Sequence, residues 1–215
     1  GANPYGEPLS IANCGTGFLE WEIVEDCPWL QAVPTSGRLT GHVAKVAIKP
    51  EIAGLMHGQH SALIKVTSPD ATNSPRPVMV VLNVNAELNV PRDYPTIQAA
   101  IDAAMPGDVV LLEDGVYTGP GNREITFRGK NLTVRSRSGP AKCIVDCELK
   151  GRGFHFRQGE GPDAVLEGLT IRNGYVPASW PQLSRGGGIV CEASSPTIRR
   201  NVITGNRGSG ICCQR

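Results

Sequence analysis

The chain has 215 residues, of which 26 are glycine and 17 are proline, while aromatic residues make up only 5%. This composition favours a turn-rich, all-β protein over a helical one, and the length allows one large or two small domains. No apolar run approaches the roughly 18 residues of a membrane-spanning helix, so no membrane span is predicted.

The formal net charge of +1 is unevenly distributed. Residues 1–86 carry 5 Lys+Arg and 7 Asp+Glu, whereas residues 121–215 carry 15 Lys+Arg and 7 Asp+Glu. A basic second half predicts attraction to polyanions, with acidic polysaccharide favoured over solvated arginines alone. No stacking aromatics lie among these arginines, so no nucleic-acid partner is expected.

The seven cysteines form no Cys-x-x-Cys pair and no Cys/His cluster at zinc spacing, so no metal site is predicted. Their number fits an exported protein, extracellular or at the cell surface, although the printed sequence shows no signal peptide. Cys14 and Cys27 stand alone in the first half and are predicted to form a disulfide. The odd total leaves at least one thiol unpaired.

Residues 8–86 read as about seven short strands with turn signals between them, which predicts an immunoglobulin-like β-sandwich. In one strand, Leu19, Trp21 and Ile23 alternate with polar or exposed positions, a period of two that buries one face. Trp21 is therefore interpreted as a core residue and not as a sugar-stacking platform.

This segment resembles a BACON domain, a β-sandwich family found in bacterial surface and polysaccharide-degrading proteins. The resemblance covers nearly all of residues 8–86 and implies a first domain over residues 1–86, followed by a linker over residues 85–93. The motifs that carry it are Asn13-x-Gly15-x-Gly17-x-Leu19-x-Trp21-x-Ile23, Asp26-Cys27-Pro28-Trp29-Leu30, Pro34-Thr-Ser-Gly37, Gly54-Leu55-x-x-Gly58 and Ile64-x-Val66-Thr67-Ser68.

A short helix is predicted over about residues 96–105. Ile97, Ala100 and Ile101 recur at helical spacing, Thr96 can cap the start, and Met105-Pro106-Gly107 ends the helix. The apolar run 109–112 follows at once and is typical of a strand buried on both faces. We interpret the helix as a cap over the open end of stacked parallel strands.

Internal repetition begins after this helix. Residues 187–191 recur as residues 209–213, an offset of 22, and three strand-and-turn copies occupy residues 131–136, 168–173 and 201–206. A turn of about 22 residues with two or three short strands is one rung of a parallel β-helix. The last two rungs then stack Ile189 against Ile211 and Cys191 against Cys213, the cysteines either as a disulfide or as stacked thiols.

Residues 94–215 resemble the right-handed parallel β-helix of the pectin lyase-like superfamily, and particularly the surface β-helix proteins of environmental bacteria. The second domain is therefore predicted over residues 87–215, and the fold class is all-β. The residues that carry the resemblance are Tyr94-Pro-Thr-Ile-Gln-Ala-Ala-Ile-Asp-Ala-Ala, Gly107-Asp108, Gly115-Val-Tyr117, Cys143-Ile-Val-Asp-Cys147 and the Asn/Gly-bounded rungs.

The resemblance implies that any catalysis occurs on the outer surface. Lyases of the superfamily bind calcium through clustered acids and use a basic residue, whereas its hydrolases and esterases use paired aspartates. The acids here form no recognisable pair, so no catalytic residue and no cofactor is assigned, calcium being expected only if the chain is a lyase. The acids considered are Asp146, Glu148, Asp163, Glu167 and Glu192.

An insertion over residues 175–185 interrupts the repeat and supplies the candidate ligand-binding residues. Tyr175 and Trp180 can stack on a sugar ring, and Arg185 can pair with a carboxylate, although Trp180 can equally cover apolar surface. His155 alternates with two phenylalanines and is expected to point outward into solvent. Asn173 and Asn206 are expected to form a ladder that saturates turn backbone.

Three functional hypotheses follow. The leading one is a non-catalytic, exported surface protein that binds acidic glycans or acts in adhesion. The second is a fragment of a polysaccharide lyase or esterase that acts on uronate-rich polysaccharide. The third is a structural stalk that forms a homo-oligomer through the open end of the β-helix, because the chain stops at Arg215 directly after a rung strand.

Overall fold

The structure, a computed structural model, describes residues 8–41, 43–177 and 186–214. The chain divides into two compact units between Val84 and Asn85, two residues before the predicted boundary. Both units are built from β-sheets, and one short helix belongs to the second. Among the described residues no helix has the length and apolar character to cross a membrane.

The first unit consists of two antiparallel sheets. In the three-stranded sheet, β5 lies between β1 and β3, and in the four-stranded sheet the order is β4-β2-β6-β7. The bounds are β1 (Leu9–Ala12), β2 (Leu19–Val24), β3 (Leu30–Val33), β4 (Ser36–Leu39), β5 (Val43–Pro50), β6 (Gly58–Thr67) and β7 (Arg76–Val84).

The two sheets share one hydrophobic core, to which each contributes alternate residues of its strands. In β2 the side chains of Trp21 and Ile23 are buried, while Glu20 and Glu22 are exposed on the other face. Val46 of β5 and Ile64 of β6 are fully buried in the same core. The interpretation of Trp21 as a core residue is confirmed, because only 4% of its surface is exposed.

The predicted bridge between Cys14 and Cys27 is not present, and both residues are free thiols. The register explains why. Ala12 pairs with Val43 at one end of β5, whereas Leu30 pairs with Pro50 at its other end. Cys14 follows the first pair and Cys27 precedes the second, so the eight-residue length of β5, about 25 Å, lies between them. A disulfide needs Cα atoms about 4.4–6.8 Å apart.

In the second unit the chain passes repeatedly through three parallel sheets. The first sheet contains β8, β9, β11, β14 and β17, the second β10, β12, β15 and β18, and the third β13, β16 and β19. The bounds are β8 (Glu87–Val90), β9 (Val109–Leu112), β10 (Gly115–Tyr117), β11 (Thr133–Ser136), β12 (Cys143–Asp146), β13 (Phe154–Phe156), β14 (Val165–Glu167), β15 (Thr170–Arg172), β16 (Gly186–Glu192), β17 (Thr197–Arg199), β18 (Val202–Thr204) and β19 (Ser209–Gln214).

The predicted linker over residues 85–93 instead contains the first strand of this coil. Strand β8 pairs with β9 in parallel, with Leu88 opposite Val110, and both side chains are buried. The short, polar-looking segment hid this strand, because Asn89 is also buried, with its amide held by Asp93 at 2.8 Å.

The predicted helix is present as α1 (Ile97–Ala103). Thr96 caps its start, where the hydroxyl accepts a hydrogen bond from the Ala99 N–H at 3.2 Å. Ile97, Ala100 and Ile101 form the buried face, as their spacing predicts. They pack into the same hydrophobic core as the strands of the coil.

The predicted stacking of the last two rungs is confirmed, because Ile189 pairs with Ile211 and Cys191 with Cys213, both cysteines as thiols. The uniform period is wrong. Ile189 precedes Ile211 by 22 residues, but Phe154 precedes its partner Ile189 by 35. Loops of different length join the strands, and for this reason segment 131–136 lies in the first sheet while segments 168–173 and 201–206 lie in the second.

Large side chains fill the inside of the coil. Phe127, Phe154 and Phe156 are fully buried and meet edge to face, with Phe127 4.7 Å from Phe156 and 6.4 Å from Phe154 between ring centroids. Cys143 and Cys147 also point inward as free thiols. A continuous apolar interior of this kind holds the outer surface of each rung in a fixed position.

Candidate functional site

Tyr175 lies directly after a turn whose backbone is anchored on both sides. The Gly174 N–H donates to Asn206 Oδ1 at 2.7 Å, and the Gly174 carbonyl accepts from the Arg207 N–H at 2.7 Å. The Tyr175 N–H then donates to the Gly151 carbonyl at 2.8 Å. These bonds join three successive rungs and fix the backbone from which the half-exposed Tyr175 side chain projects.

The Tyr175 side chain lines a cleft of about 350 Å³ on the outer surface. Leu149 and Pro177 add apolar walls, while Glu124 and Lys150 supply a carboxylate and an ammonium group. A partly exposed aromatic ring beside apolar and charged groups is a surface on which a sugar ring can stack and form hydrogen bonds. The other two predicted ligand residues, Trp180 and Arg185, lie outside the described residues.

Glu124 is held rigidly at the base of this cleft. Its backbone adopts a left-handed conformation with φ of 53°, and its Oε1 accepts from the Arg152 N–H at 2.7 Å. A Cβ at position 151 would lie 3.0 Å from that carboxylate oxygen, so the close approach requires Gly151. Sequence reasoning missed Glu124, and the glycine was the one signal in the sequence that pointed to it.

Glu148 and Lys150 form a charged network next to the cleft. Glu148 Oε2 accepts from Arg123 at 2.5 Å and from the Gly119 N–H at 3.0 Å, and its Oε1 lies 3.2 Å from the Lys150 ammonium. The hydrogen bonds from Lys150 and Gly119 keep the pKa of Glu148 below its usual value. Lys150 remains largely exposed, so its charge is still accessible to a ligand.

Asp146, one of the acids considered for catalysis, is committed to holding the neighbouring turn. Its carboxylate accepts from Asn173 at 2.9 Å, from the Glu148 N–H at 3.0 Å and from Arg172 at 2.9 Å. Burial acts to raise the pKa of Asp146, but these three hydrogen bonds outweigh it and lower the pKa. A carboxylate stabilised in this way is a poor general acid at neutral pH.

His155 differs from its prediction. It lies on the outer face of the third sheet, yet it is only 7% exposed. Its Nδ1 lies 3.5 Å from Arg152 Nη1, and its Nε2 lies 3.2 Å from a carboxylate oxygen of Glu192. Alternation of the strand placed His155 on the outer face correctly, but charged neighbours from adjacent segments enclose it there.

The asparagine ladder is confirmed at Asn206, whose Oδ1 binds the Gly174 N–H and whose Nδ2 donates to the Ile171 carbonyl at 3.1 Å. Asn173 occupies the turn of the rung before and donates to the Asp146 side chain instead of to backbone. Both residues therefore stabilise turns between rungs.

The basic charge of the second half is largely neutralised. Over the whole second unit, residues 85–215, 16 Lys+Arg oppose 13 Asp+Glu, a net charge of +3, because acids between residues 87 and 114 offset the later arginines. Arg207 is exposed and forms no ion pair among the described residues. The ion pairs are Arg123 with Glu148, Arg128 with Asp102, Arg135 with Glu87, Arg137 with Glu113, Arg172 with Asp146, and Arg199 and Arg200 with Glu167.

The larger hollows of the described residues lie on the first unit and are open to solvent, one beside Glu20 and Arg38 and one beside Glu25 and Lys49. The cleft beside Tyr175 is smaller but combines an accessible ring with fixed polar groups. No group of three or more His, Cys, Asp or Glu side chains within residues 8–41, 43–177 and 186–214 is arranged to hold a metal ion.

No protein-family model matches the chain, and no curated protein matches it. Among solved structures, SSP-19, an MSP-domain-like protein of Caenorhabditis elegans, matches 39% of this chain and 87% of its own, with 15% identity and a TM-score of 0.28. The Family 28 exopolygalacturonase of Yersinia enterocolitica matches 80% of this chain and 40% of its own, with 13% identity and a TM-score of 0.20. Both scores are too low to assign a fold family or an activity.

Proposed function

We propose that the chain is a non-catalytic glycan-binding module of an exported surface protein, and that its binding surface is the cleft beside Tyr175. In this proposal the first unit is a BACON-like, immunoglobulin-like sandwich, and the second is a short right-handed parallel β-helix of the pectin lyase-like type. The observation that carries the proposal is the half-exposed Tyr175, anchored at its backbone and lining a cleft of about 350 Å³.

Rigid anchoring favours binding because little conformational freedom is lost when the ligand docks. A sugar ring that stacks on Tyr175 also contacts Leu149 and Pro177, and its hydroxyl groups can bond to Glu124 and Lys150. These contacts combine one aromatic platform with a few polar groups, as in most small-ligand sites.

We favour an acidic glycan as the ligand because two accessible cations flank the cleft along the coil. Lys150 lines the cleft itself, and the Arg207 N–H binds the carbonyl that directly precedes Tyr175. Carboxylates on successive sugar units could pair with these groups in turn. The charge that favours acidic glycans is thus local and does not depend on the overall composition.

Binding of polygalacturonate oligosaccharides and of neutral galactan oligosaccharides, measured by calorimetry at low ionic strength, tests the proposal. Tyr175→Ala should weaken binding about tenfold, since one aromatic contact contributes about 0.5–1.5 kcal/mol beyond its buried area. Tyr175→Phe should bind as the wild type does, because the ring is retained. Phe18→Ala removes another exposed ring, on the first unit, and serves as the control.

Equal binding by the wild type and Tyr175→Ala would refute the cleft as the binding surface, and no binding of either oligosaccharide at low salt would refute the glycan-binding role. Release of unsaturated product from polygalacturonate with calcium, followed by ultraviolet absorbance and abolished by a chelator, would instead support the lyase hypothesis.

A further inference from the structure

Strand β7 is the longest edge strand of the first unit. It spans nine residues at the edge of its sheet, whereas the other three edge strands, β1, β3 and β4, have four residues each. An edge strand presents unpaired N–H and C=O groups, and proteins usually protect long edges with charged residues or bulges. In β7 the single charged residue is Arg76, at its first position.

The outer face beside this edge is apolar. Leu63 of β6 lies opposite Met79 of β7, and Val81 follows on the same face. These three side chains, here called the β7 patch, are 49%, 70% and 50% exposed. An apolar patch next to an unpaired edge is typical of a surface that pairs with another strand.

Pro77 shows which backbone groups of β7 face the open edge. It has no N–H, yet it lies within the register of β6 and β7, opposite Lys65. Proline fits such a position when its nitrogen points away from the neighbouring strand. Because the pattern repeats every two residues, Met79, Val81 and Asn83 also direct their N–H and C=O groups to the open edge.

We propose that two copies of the chain associate by antiparallel pairing of β7 with β7 about a two-fold axis at Val80. Met79 of each copy then forms a hydrogen-bonded pair with Val81 of the other, and Asn83 of each donates to the carbonyl of Pro77 of the other. The two β7 patches become continuous across the axis, so each apolar side chain gains an apolar neighbour.

A second copy fits this edge because the edge is self-complementary. Two-fold pairing joins equal apolar residues, and the extended edge offers no charge that would select a different, oppositely charged strand. Arg76 of each copy lies opposite Val84 of the other, so the two guanidinium groups are separated by most of the strand length, about 25 Å. The association therefore brings no like charges together.

The mass of the full chain in solution, measured by light scattering across protein concentrations, tests this proposal. We expect twice 22.9 kDa at high concentration and 22.9 kDa on dilution. Met79→Lys should raise the dimer dissociation constant at least about tenfold, because it places two cations beside the pairing strands. Val24→Lys makes the same change at another exposed valine, in the interior strand β2, and should leave the mass unchanged.

Val81→Pro is the sharper variant. It should remove an N–H that points to the open edge, preserve the hydrogen bonds between β6 and β7, and abolish the dimer while circular dichroism stays unchanged. A monomer at all concentrations would overturn the proposal. A dimer that survives both Met79→Lys and Val81→Pro would overturn it too, and would place the association on another surface such as the last rung of the coil.

Discussion

Replacement of Lys130 by methionine should loosen helix α1. The Lys130 ammonium donates to the carbonyls of Ile101, Asp102 and Ala104, at 2.8, 2.9 and 2.8 Å. These are carbonyls of the last helical turn, which have no partners within a helix. A single side chain from a later segment of the coil therefore caps the helix at its C-terminus, and methionine would keep the length of the side chain but none of these bonds.

The cost is set by one ammonium shared among three acceptors. A hydrogen bond to a charged group contributes about 1.5–3 kcal/mol, and a cation at a helix C-terminus about 0.3–1 kcal/mol. Lys130 is only half-buried, so water can reach part of the freed carbonyl surface and the three bonds do not add. We expect a loss of about 2 kcal/mol in the local stability of α1.

Hydrogen exchange followed by mass spectrometry measures this loss directly. The amide of Ala104, which donates to the Ala100 carbonyl at 2.9 Å, should exchange about 30-fold faster in the variant. Lys142→Met is the control, since Lys142 is 65% exposed and pairs with Asp114 at 3.5 Å, a surface contact of little value. If the two variants changed the exchange of α1 equally, the capping role of Lys130 would be refuted.

Two further predictions concern buried groups. Glu160, 1% exposed, accepts from the Gly129 N–H, the Gln158 N–H and the Ser194 hydroxyl, and these bonds hold its pKa below 4.5 against the opposing effect of burial. Its contribution to stability is therefore present above pH 4.5 and lost as the pH falls through the lowered pKa. Glu160→Gln should destabilise the unit by about 1–3 kcal/mol at pH 7 and by less at pH 3, measured by urea unfolding, and an equal effect at both pH values would contradict this reasoning. Burial raises the pKa of Cys147 to about 12, so it should resist alkylation at pH 8 until the protein unfolds, whereas exposed Cys14 should react at once. Equal labelling of the two, followed by peptide mass spectrometry, would show that Cys147 is accessible.

Local pattern predicted the elements that depend on neighbouring residues. The spacing of Ile97, Ala100 and Ile101 predicted α1 to within about two residues at each end, because an apolar stripe at helical period has one stable placement against a core. The alignment of Ile189 with Ile211 was predicted because the final two rungs have matching lengths. Where intervening loops varied, as between Phe154 and Ile189, a fixed period failed.

Residues whose roles depend on partners distant in the chain were not predictable. Cys14 and Cys27 were paired for want of other cysteines nearby, but the direction of β5 places them beyond its opposite ends. His155 was expected to be solvated because a strand pattern gives the face and not what covers it, and Arg152 and Glu192 lie against it. The cleft was foreseen only at Tyr175, since Glu124 and Leu149 reach it through left-handed turns that no motif marks.

By itself, the sequence determined that the chain is β-rich, where its single described helix forms, and which apolar side chains face inward, because these depend on periodicity over a few residues. The tertiary structure alone decided which strands are neighbours, how the arginines are neutralised, and which side chains meet at the cleft. Those outcomes depend on loop length and chain direction, which bring residues about 25 to 50 positions apart, such as Glu124 and Tyr175, to the same cleft.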